Sequence, residues 1–250
     1  MINKTTLKTF PAGGVHPPEN KLTSGIPVKF LPVPPYVTIP VSQHIGAPAT
    51  VVVNKGDKVK TGQVIALSKG FVSTNIHSSV SGVVNKIDTI IDASGFKQTA
   101  VFIDTQGDEW IDTIDRSEGL ITEIKYSSDD IINKCLEAGI VGLGGATFPS
   151  HVKLTVPTGK KCEALIINGA ECEPYLTSDH RLMLEKGEEI MVGTMILMKA
   201  LRVTKAFIGI ENNKKDAIDH LTRLAERFQG ITIHPLKVKY PQGAEKQLIK

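Results

Sequence analysis

The apolar pattern of this 250-residue chain changes period part-way along its length, so no single repeated architecture can account for it. From Tyr36 to about Asp104 the chain runs in short β-branched stretches. These are Val37-Thr38-Ile39, Ala49 to Val53, Val64 to Leu67 and Gly82 to Ile87. Turn signals at Asn54-Lys55-Gly56-Asp57, Lys60-Thr61-Gly62 and Ser81-Gly82 separate them, a spacing that predicts a small sandwich or barrel. From about Ser127 the period moves toward 3.6. A short helix capped at Ser128 would bury Ile131, Ile132, Cys135 and Leu136, and Gly139 would end it.

Beyond a glycine-rich loop the sequence reads as strand Ala164–Ile167, then a helix with Ile190, Thr194, Leu197, Met198 and Leu201 on one side. Strand Ala206–Ile210 follows, then a helix through Ala217, Leu221, Leu224, Ala225 and Phe228, and a last strand over Ile231–Val238. This β-α-β-α-β order predicts a parallel, Rossmann-like sheet, which takes its ligand beyond the carboxyl ends of its strands. The methionines at 191, 195 and 198 are placed as helix core. Nine of the fourteen prolines fall in the first fifty residues, so residues 1–35 are expected to form an extended arm. That arm contains Gly13-Gly14-Val15-His16-Pro17-Pro18-Glu19-Asn20-Lys21, either a strap over the surface or a segment that lines a site or docks a partner.

Composition excludes several classes. Charges are spread along the chain to a net +3, too weak and diffuse for a nucleic-acid binder. No apolar run approaches the 18 residues of a membrane span, and the first twenty residues lack the apolar stretch of a secretory signal. Cys135, Cys162 and Cys172 fit neither a disulfide framework nor a metal or cluster spacing, so no metal site is expected in the chain and a reducing cytoplasmic compartment is.

Val53-x-x-Gly56-Asp57-x-Val59-x-x-Gly62-Gln63-x-Ile65-Ala66, followed by Ser81-Gly82-Val83-Val84, resembles the barrel-sandwich hybrid fold of biotinyl and lipoyl carrier domains. Those carriers present a modifiable lysine at a hairpin tip. The matching segment here, Gly70 to Ser79, has no lysine, and Lys69 lies too early, so a prosthetic-group carrier is not expected.

Three segments stand where the parallel sheet should meet a ligand. Gly142-Leu143-Gly144-Gly145-Ala146-Thr147-Phe148-Pro149 brings backbone amides and Lys153 toward anionic oxygen, though it is neither a P-loop nor a dinucleotide fingerprint. Asn168-Gly169-Ala170-Glu171-Cys172-Glu173-Pro174-Tyr175 sets two carboxylates at a strand's end, suited to ribose hydroxyls or a carboxamide. Tyr240-Pro241-Gln242-Gly243-Ala244-Glu245 follows the last strand.

In this order, the three segments resemble the FMN- and NADH-binding domain of the electron-input subunit of respiratory complex I. Gly142, Gly144, Gly145, Ala146, Phe148, Pro149 and Lys153 match the first family segment, Asn168, Glu171, Glu173 and Pro174 the second, and Tyr240, Gly243 and Glu245 the third. Leu143, Ala170, Cys172 and Ala244 depart from it, in place of an arginine, an aspartate, a serine and a glutamate. With the arm and Gln43-His44-Ile45-Gly46-Ala47-Pro48-Ala49, the whole chain resembles the C subunits of the Rnf (Rsx) ion-translocating electron-transport complexes.

The resemblance implies an α/β chain organised as an arm (1–35), a barrel-sandwich hybrid domain (36–106) and an FMN/NADH-binding domain (120–250). It implies an NADH- and flavin-linked oxidoreductase in which flavin carries the hydride and no side chain is the catalyst. The glycine loop with Lys153 would take FMN, flanked by Asn168, Glu171, Tyr240 and Gly243. Glu173 and Glu245 would take NAD(H), and Phe148 would stack on an aromatic ring. A further β domain and two [4Fe-4S] motifs would lie beyond Lys250, so the chain reads as a fragment not active alone. Partners would be the other Rnf subunits, at the cytoplasmic face of the bacterial inner membrane, with no span of its own. The alternative is a scaffold or docking module that keeps the fold and binds no flavin.

Overall fold

A computed structural model describes residues 7–117 and 119–250; the first six residues of the expected arm, and Glu118, lie outside them. The chain divides into two compact units. One gathers Leu31–Gly119 with Tyr126–Pro157; the other gathers the arm to Phe30, Leu120–Lys125 and Thr158–Lys250. The sequence pattern places 120–250 in one domain, whereas 126–157 groups with the β unit.

The β unit holds strands β1 (Tyr36–Pro40), β2 (Thr50–Val51), β3 (Lys58–Val59), β4 (Val64–Leu67), β5 (Ile76–His77), β6 (Gly82–Ile91) and β7 (Lys97–Thr105). They form two antiparallel sheets, ordered β1-β7-β6-β3 and β2-β4-β5. Their inward residues, among them Val59, Ile65, Val84, Val101 and Ile103, make one apolar core. This is the anticipated barrel-sandwich arrangement. Strand β7 is not among the expected runs, although Thr99 to Ile103 is β-branched and aromatic enough to announce it. The segment after β7, which falls between the two expected domains, is docked: the Thr61 N–H donates to Glu109 O, and the Ile111 N–H to Thr61 O.

Helix α1 (Ser128–Glu137) starts one residue earlier than expected, because Ser127 is its cap. The Ser127 hydroxyl oxygen accepts from the Asp130 N–H at 3.2 Å, and Asp130 accepts from the Ser127 N–H at 3.1 Å. The lysine-free tip of the barrel closes the other end of α1. Thr74 Oγ1 donates to Leu136 O at 3.0 Å, and Asn75 Nδ2 donates to Glu137 O at 3.3 Å. These bonds are among the ties between 126–157 and the rest of the β unit. Gly139 is left-handed (φ 69), and a Cβ there would lie 2.5 Å from Asn75 O, so only glycine fits between the helix end and the tip. Helix α2 (Ser150–Leu154) follows the glycine loop.

In the other unit, β8 (Leu165–Gly169), β9 (Ala206–Glu211) and β10 (Ile231–Leu236) form a parallel sheet ordered β10-β9-β8. Between β8 and β9 lie α3 (Ser178–Glu185), which the apolar periodicity does not reveal, and α4 (Gly187–Leu201); α5 (Lys215–Ala225) joins β9 to β10, and α6 (Glu245–Leu248) closes the chain. Met191 and Met198 are buried in the helix–sheet core with Ile208, Ile210 and Leu221, as expected of helix core. No helix among the described residues is long and apolar enough to cross a membrane.

Losing the α1 cap should show up as stability. Ser127→Ala should cost about 1 kcal/mol in denaturant titration. The Ser127 side chain, then its backbone N–H, holds the Asp130 carboxyl below the usual aspartate range. A depressed folded-state value stabilises above the ordinary aspartate range and ceases to as pH falls through the depressed value. The deficit of Asp130→Asn should therefore be full at neutral pH and vanish in acid; a pH-independent deficit would contradict this reading of the cap.

Candidate functional site

All three strands of the parallel sheet end on the same side, and their loops are drawn together there by a few buried polar groups. Lys214 is the centre. Its side chain is 2% exposed, and its Nζ donates to Ala170 O after β8 (2.8 Å) and to Asn213 Oδ1 after β9 (3.2 Å). It lies 3.6 Å from the carboxylate of Glu211, itself 1% exposed. The opposite carboxylate oxygen of Glu211 accepts from the Lys239 N–H after β10 at 3.3 Å. Burial pushes the Glu211 carboxyl up and the Lys214 ammonium down, and each is partly restored by the other's charge. Neither residue stands out in the sequence, although Glu211 to Lys214 occupy a strand end just as the two named segments do.

The loop after β8 is bent hard. Glu171 and Tyr175 both adopt left-handed backbone (φ 48 and 68), uncommon for residues with a Cβ. Glu171 is buried, and its Oε1 accepts from the Asp179 N–H at 2.6 Å, where the N-cap residue Thr177 makes no side-chain cap bond for α3. Its Oε2 is buried without a partner. Glu173 and Asn168 are exposed, but the Asn168 amide is engaged: Nδ2 donates to Gly243 O at 2.8 Å and Oδ1 accepts from the Ala170 N–H at 3.2 Å. Gly243 permits this close approach, since a Cβ there would lie 3.3 Å from Cys172 Sγ. Its N–H donates to Cys172 Sγ at 3.2 Å; burial pushes that thiol up, and the Gly243 bond offsets this only in part.

The arm completes the picture in this unit. The Val15 N–H and Tyr240 O, and the Tyr240 N–H and Val15 O, are paired at 2.9 Å. A cavity of about 190 Å³ lies between the arm and the strand ends, lined by His16, Glu19, Cys172, Glu211 and Tyr240 among others. Of the sequence-named residues, the structure therefore gathers Asn168, Glu171, Glu173, Tyr240, Gly243 and Glu245 in the α/β unit, with Glu245 opening α6.

Gly142, Gly144, Gly145, Phe148 and Lys153 belong to the β unit instead. There the glycine loop is closed at its neck by Gly142 N–H to Phe148 O (3.0 Å) and Ser150 N–H to Ile140 O (2.9 Å). At its tip a Cβ on Gly144 or Gly145 would meet nothing within 4 Å, so the backbone stands open to a ligand. Lys153 is exposed on α2. Below it, His151 is buried with Nε2 3.0 Å from Phe71 O, and Phe71 packs edge-on against its ring.

Each unit by itself offers groups that suit a nucleotide in kind: in the β unit, open glycine backbone and a lysine for a phosphate; in the α/β unit, carboxylates, one with a buried unpartnered oxygen, for hydroxyls. Among the described residues no group of three or more His, Cys, Asp or Glu could hold a metal ion.

Breaking the buried pair should be costly: Lys214→Met or Glu211→Gln alone should lose about 3–5 kcal/mol in chemical denaturation. The double variant should recover most of that, since no uncompensated charge remains. An additive double variant would show that the two residues act independently.

Comparison with known proteins covers both parts of the chain. Residues 8–108 match the RnfC barrel sandwich hybrid domain family, and residues 135–250 the Nuo51 FMN-binding domain family. The chain is 47% identical over 239 residues to the C subunit of the Na(+)-translocating ferredoxin:NAD(+) oxidoreductase complex of Acetobacterium woodii, covering 95% of this chain and 53% of that one. It is 48% identical to the C subunit of the proton-translocating ferredoxin:NAD(+) oxidoreductase complex of Clostridium ljungdahlii, covering 97% and 52%. It is 42% identical to the C subunit of the ion-translocating oxidoreductase complex of Rhodobacter capsulatus, covering 95% and 46%. The chain thus spans about half the length of these relatives. Over 95–97% of its own length the chain is similar to these C subunits, and its two parts match in order the RnfC barrel sandwich hybrid domain and the Nuo51 FMN-binding domain families.

Proposed function

We propose that the chain forms the FMN- and NAD(H)-handling part of the electron-input subunit of a membrane-bound, ion-translocating oxidoreductase. Its partners are the other subunits of an Rnf-type complex, and it works peripherally at the cytoplasmic membrane face. The observation that carries the reading is the set of strand-end loops tied around Lys214, with two carboxylates in the loop after β8 and a buried Glu171 oxygen left without a partner. Bound FMN supplies the hydride and single-electron chemistry, and the protein supplies binding, orientation and electrostatics.

Each residue's part follows from its position. The open backbone of Gly144 and Gly145 with Lys153 suits the flavin phosphate, Gly142 closes the neck of that loop, and Phe148 offers a ring for stacking. In the α/β unit Asn168, Glu171, Tyr240 and Gly243 shape the flavin side of the strand-end loops. The exposed carboxylates of Glu173 and Glu245 accept from the hydroxyls or carboxamide of the nicotinamide nucleotide. Iron–sulfur centres outside these 250 residues would exchange electrons with the flavin.

Glu173→Gln keeps the shape of the side chain and removes its charge. In the complete protein it should slow NADH-driven flavin reduction by about one to two decades, with flavin content largely intact. A variant that loses FMN but reduces normally once FMN is restored would move Glu173 to the flavin side. No change in either property would remove the loop from the site. For the chain as it stands, fluorescence titration with FMN should show quenching; its absence from the folded protein would favour the non-redox scaffold.

A further inference from the structure

The amino-terminal arm is tied to the loop after β8 by one side chain in particular. Lys21 Nζ donates to three backbone carbonyls of neighbouring turns: Glu171 O at 2.8 Å, Glu173 O at 2.9 Å and Leu176 O at 2.6 Å. An ammonium has three donors, and all three go to this one loop. The loop carries two left-handed non-glycine residues, Glu171 and Tyr175, whose conformations local preference does not favour. A cation at the focus of its carbonyls opposes their mutual repulsion and holds that shape. The bonds on either side of Lys21 fix its place. The Tyr175 N–H donates to Glu19 O at 2.9 Å, Asn213 Nδ2 donates to the Glu19 carboxylate at 2.9 Å, and the hydroxyls of Thr23 and Thr177 are 2.5 Å apart. Further on, Arg181 Nη1 donates to Ser24 O at 3.2 Å. The same arm forms one wall of the cavity at the strand ends, through His16 and Glu19.

We propose that the arm is a working part of the nucleotide site, and that Lys21 is a positioning residue for nicotinamide nucleotide: by gathering the carbonyls of Glu171, Glu173 and Leu176 it sets the loop that presents Glu173. The proposal rests on the assignment of that loop to NAD(H). It gives a lysine outside the three sequence segments, at the lining of the same cavity, a role in binding exerted through the loop carbonyls it holds. Lys21 lies outside the helix–sheet core, so its replacement leaves the fold standing.

The test is Lys21→Met in the complete protein, with NADH as the probe and hydrogen exchange at the amides of residues 171–177 as a second readout. Exchange at these amides should accelerate. The KM for NADH should rise about ten- to hundredfold while kcat and FMN content stay near wild type. Lys21→Arg should restore much of the affinity, since a guanidinium also offers several donors. Unchanged exchange would overturn the anchoring role. Faster exchange with an unchanged KM would reduce Lys21 to a structural staple and overturn its role in binding. A joint fall of kcat and flavin content, not recovered in Lys21→Arg, would mark general damage and equally overturn it. Failure of the underlying function is distinguishable, because it would appear as absent NADH-driven reduction in the unsubstituted protein.

Discussion

The buried pair of Glu211 and Lys214 is the interaction on which the strand-end architecture depends. Two opposite charges almost wholly removed from water stay charged only when their remaining donors and acceptors are met. Here they are met from three different loops: by Ala170 O, by the Asn213 side-chain oxygen and by the Lys239 N–H. The pair therefore does more than offset its own desolvation. Each loop end becomes a partner that the pair requires, so the three irregular segments beyond the parallel sheet share one fixed reference point. A hydrophobic replacement could fill the same volume, but it would offer nothing to the carbonyl of Ala170 or the amide of Lys239. The irregularity that leaves the Glu173 carboxylate exposed is tolerable because the backbone beneath it is anchored.

In the β unit a similar use of polar groups redirects a carrier-like shape. A carrier domain needs its hairpin tip free and lysine-bearing. Here the tip is committed: Thr74 and Asn75 close the carboxyl end of α1, Ser73 Oγ donates to Ala47 O at 2.8 Å, and the Thr74 N–H donates to His44 Nε2 at 3.2 Å. With its side chains bonded to a neighbouring helix, the tip cannot swing as a carrier must. The helix it secures leads directly into the glycine loop. The barrel thus acts as a mount for backbone that a ligand can approach.

What could be read from the sequence followed periodicity and turn chemistry. The two-residue period of the barrel strands and the 3.6 period of α4 and α5 are plain, because each has one buried face. Helix α3 is not, since Ser178 to Glu185 is polar and buries only His180 and Met183. The loops with Asn168 and Tyr240 announce themselves by carboxylates and glycines after strands. Lys214, Glu211 and Lys21 do not, because lysines and glutamates are common and nothing local says that one is buried or lies under carbonyls far along the chain. The division of the chain is hidden for a related reason: residues 126–157 and the barrel are tied by side-chain bonds such as those of Thr74, Asn75 and His151, and hydrophobic patterning is blind to them.

The left-handed residues tie these observations together. Thr147 (φ 49) lies in the glycine loop, and Glu171 and Tyr175 bracket the loop after β8. Strain of this kind costs of order 1–3 kcal/mol per residue and persists only where the surroundings over-determine the conformation. Around Glu171 the restraints can be named: its carboxylate is held by the amino end of α3, its carbonyl by Lys21, and the preceding carbonyl by Lys214. Three restraints on two consecutive residues exceed what a passive turn needs. They leave Glu173 two residues on, with its carbonyl held by Lys21 and its carboxylate exposed. A loop so fixed would lose little freedom on meeting a ligand, and the nucleotide role proposed for Glu173 would draw on that preorganisation.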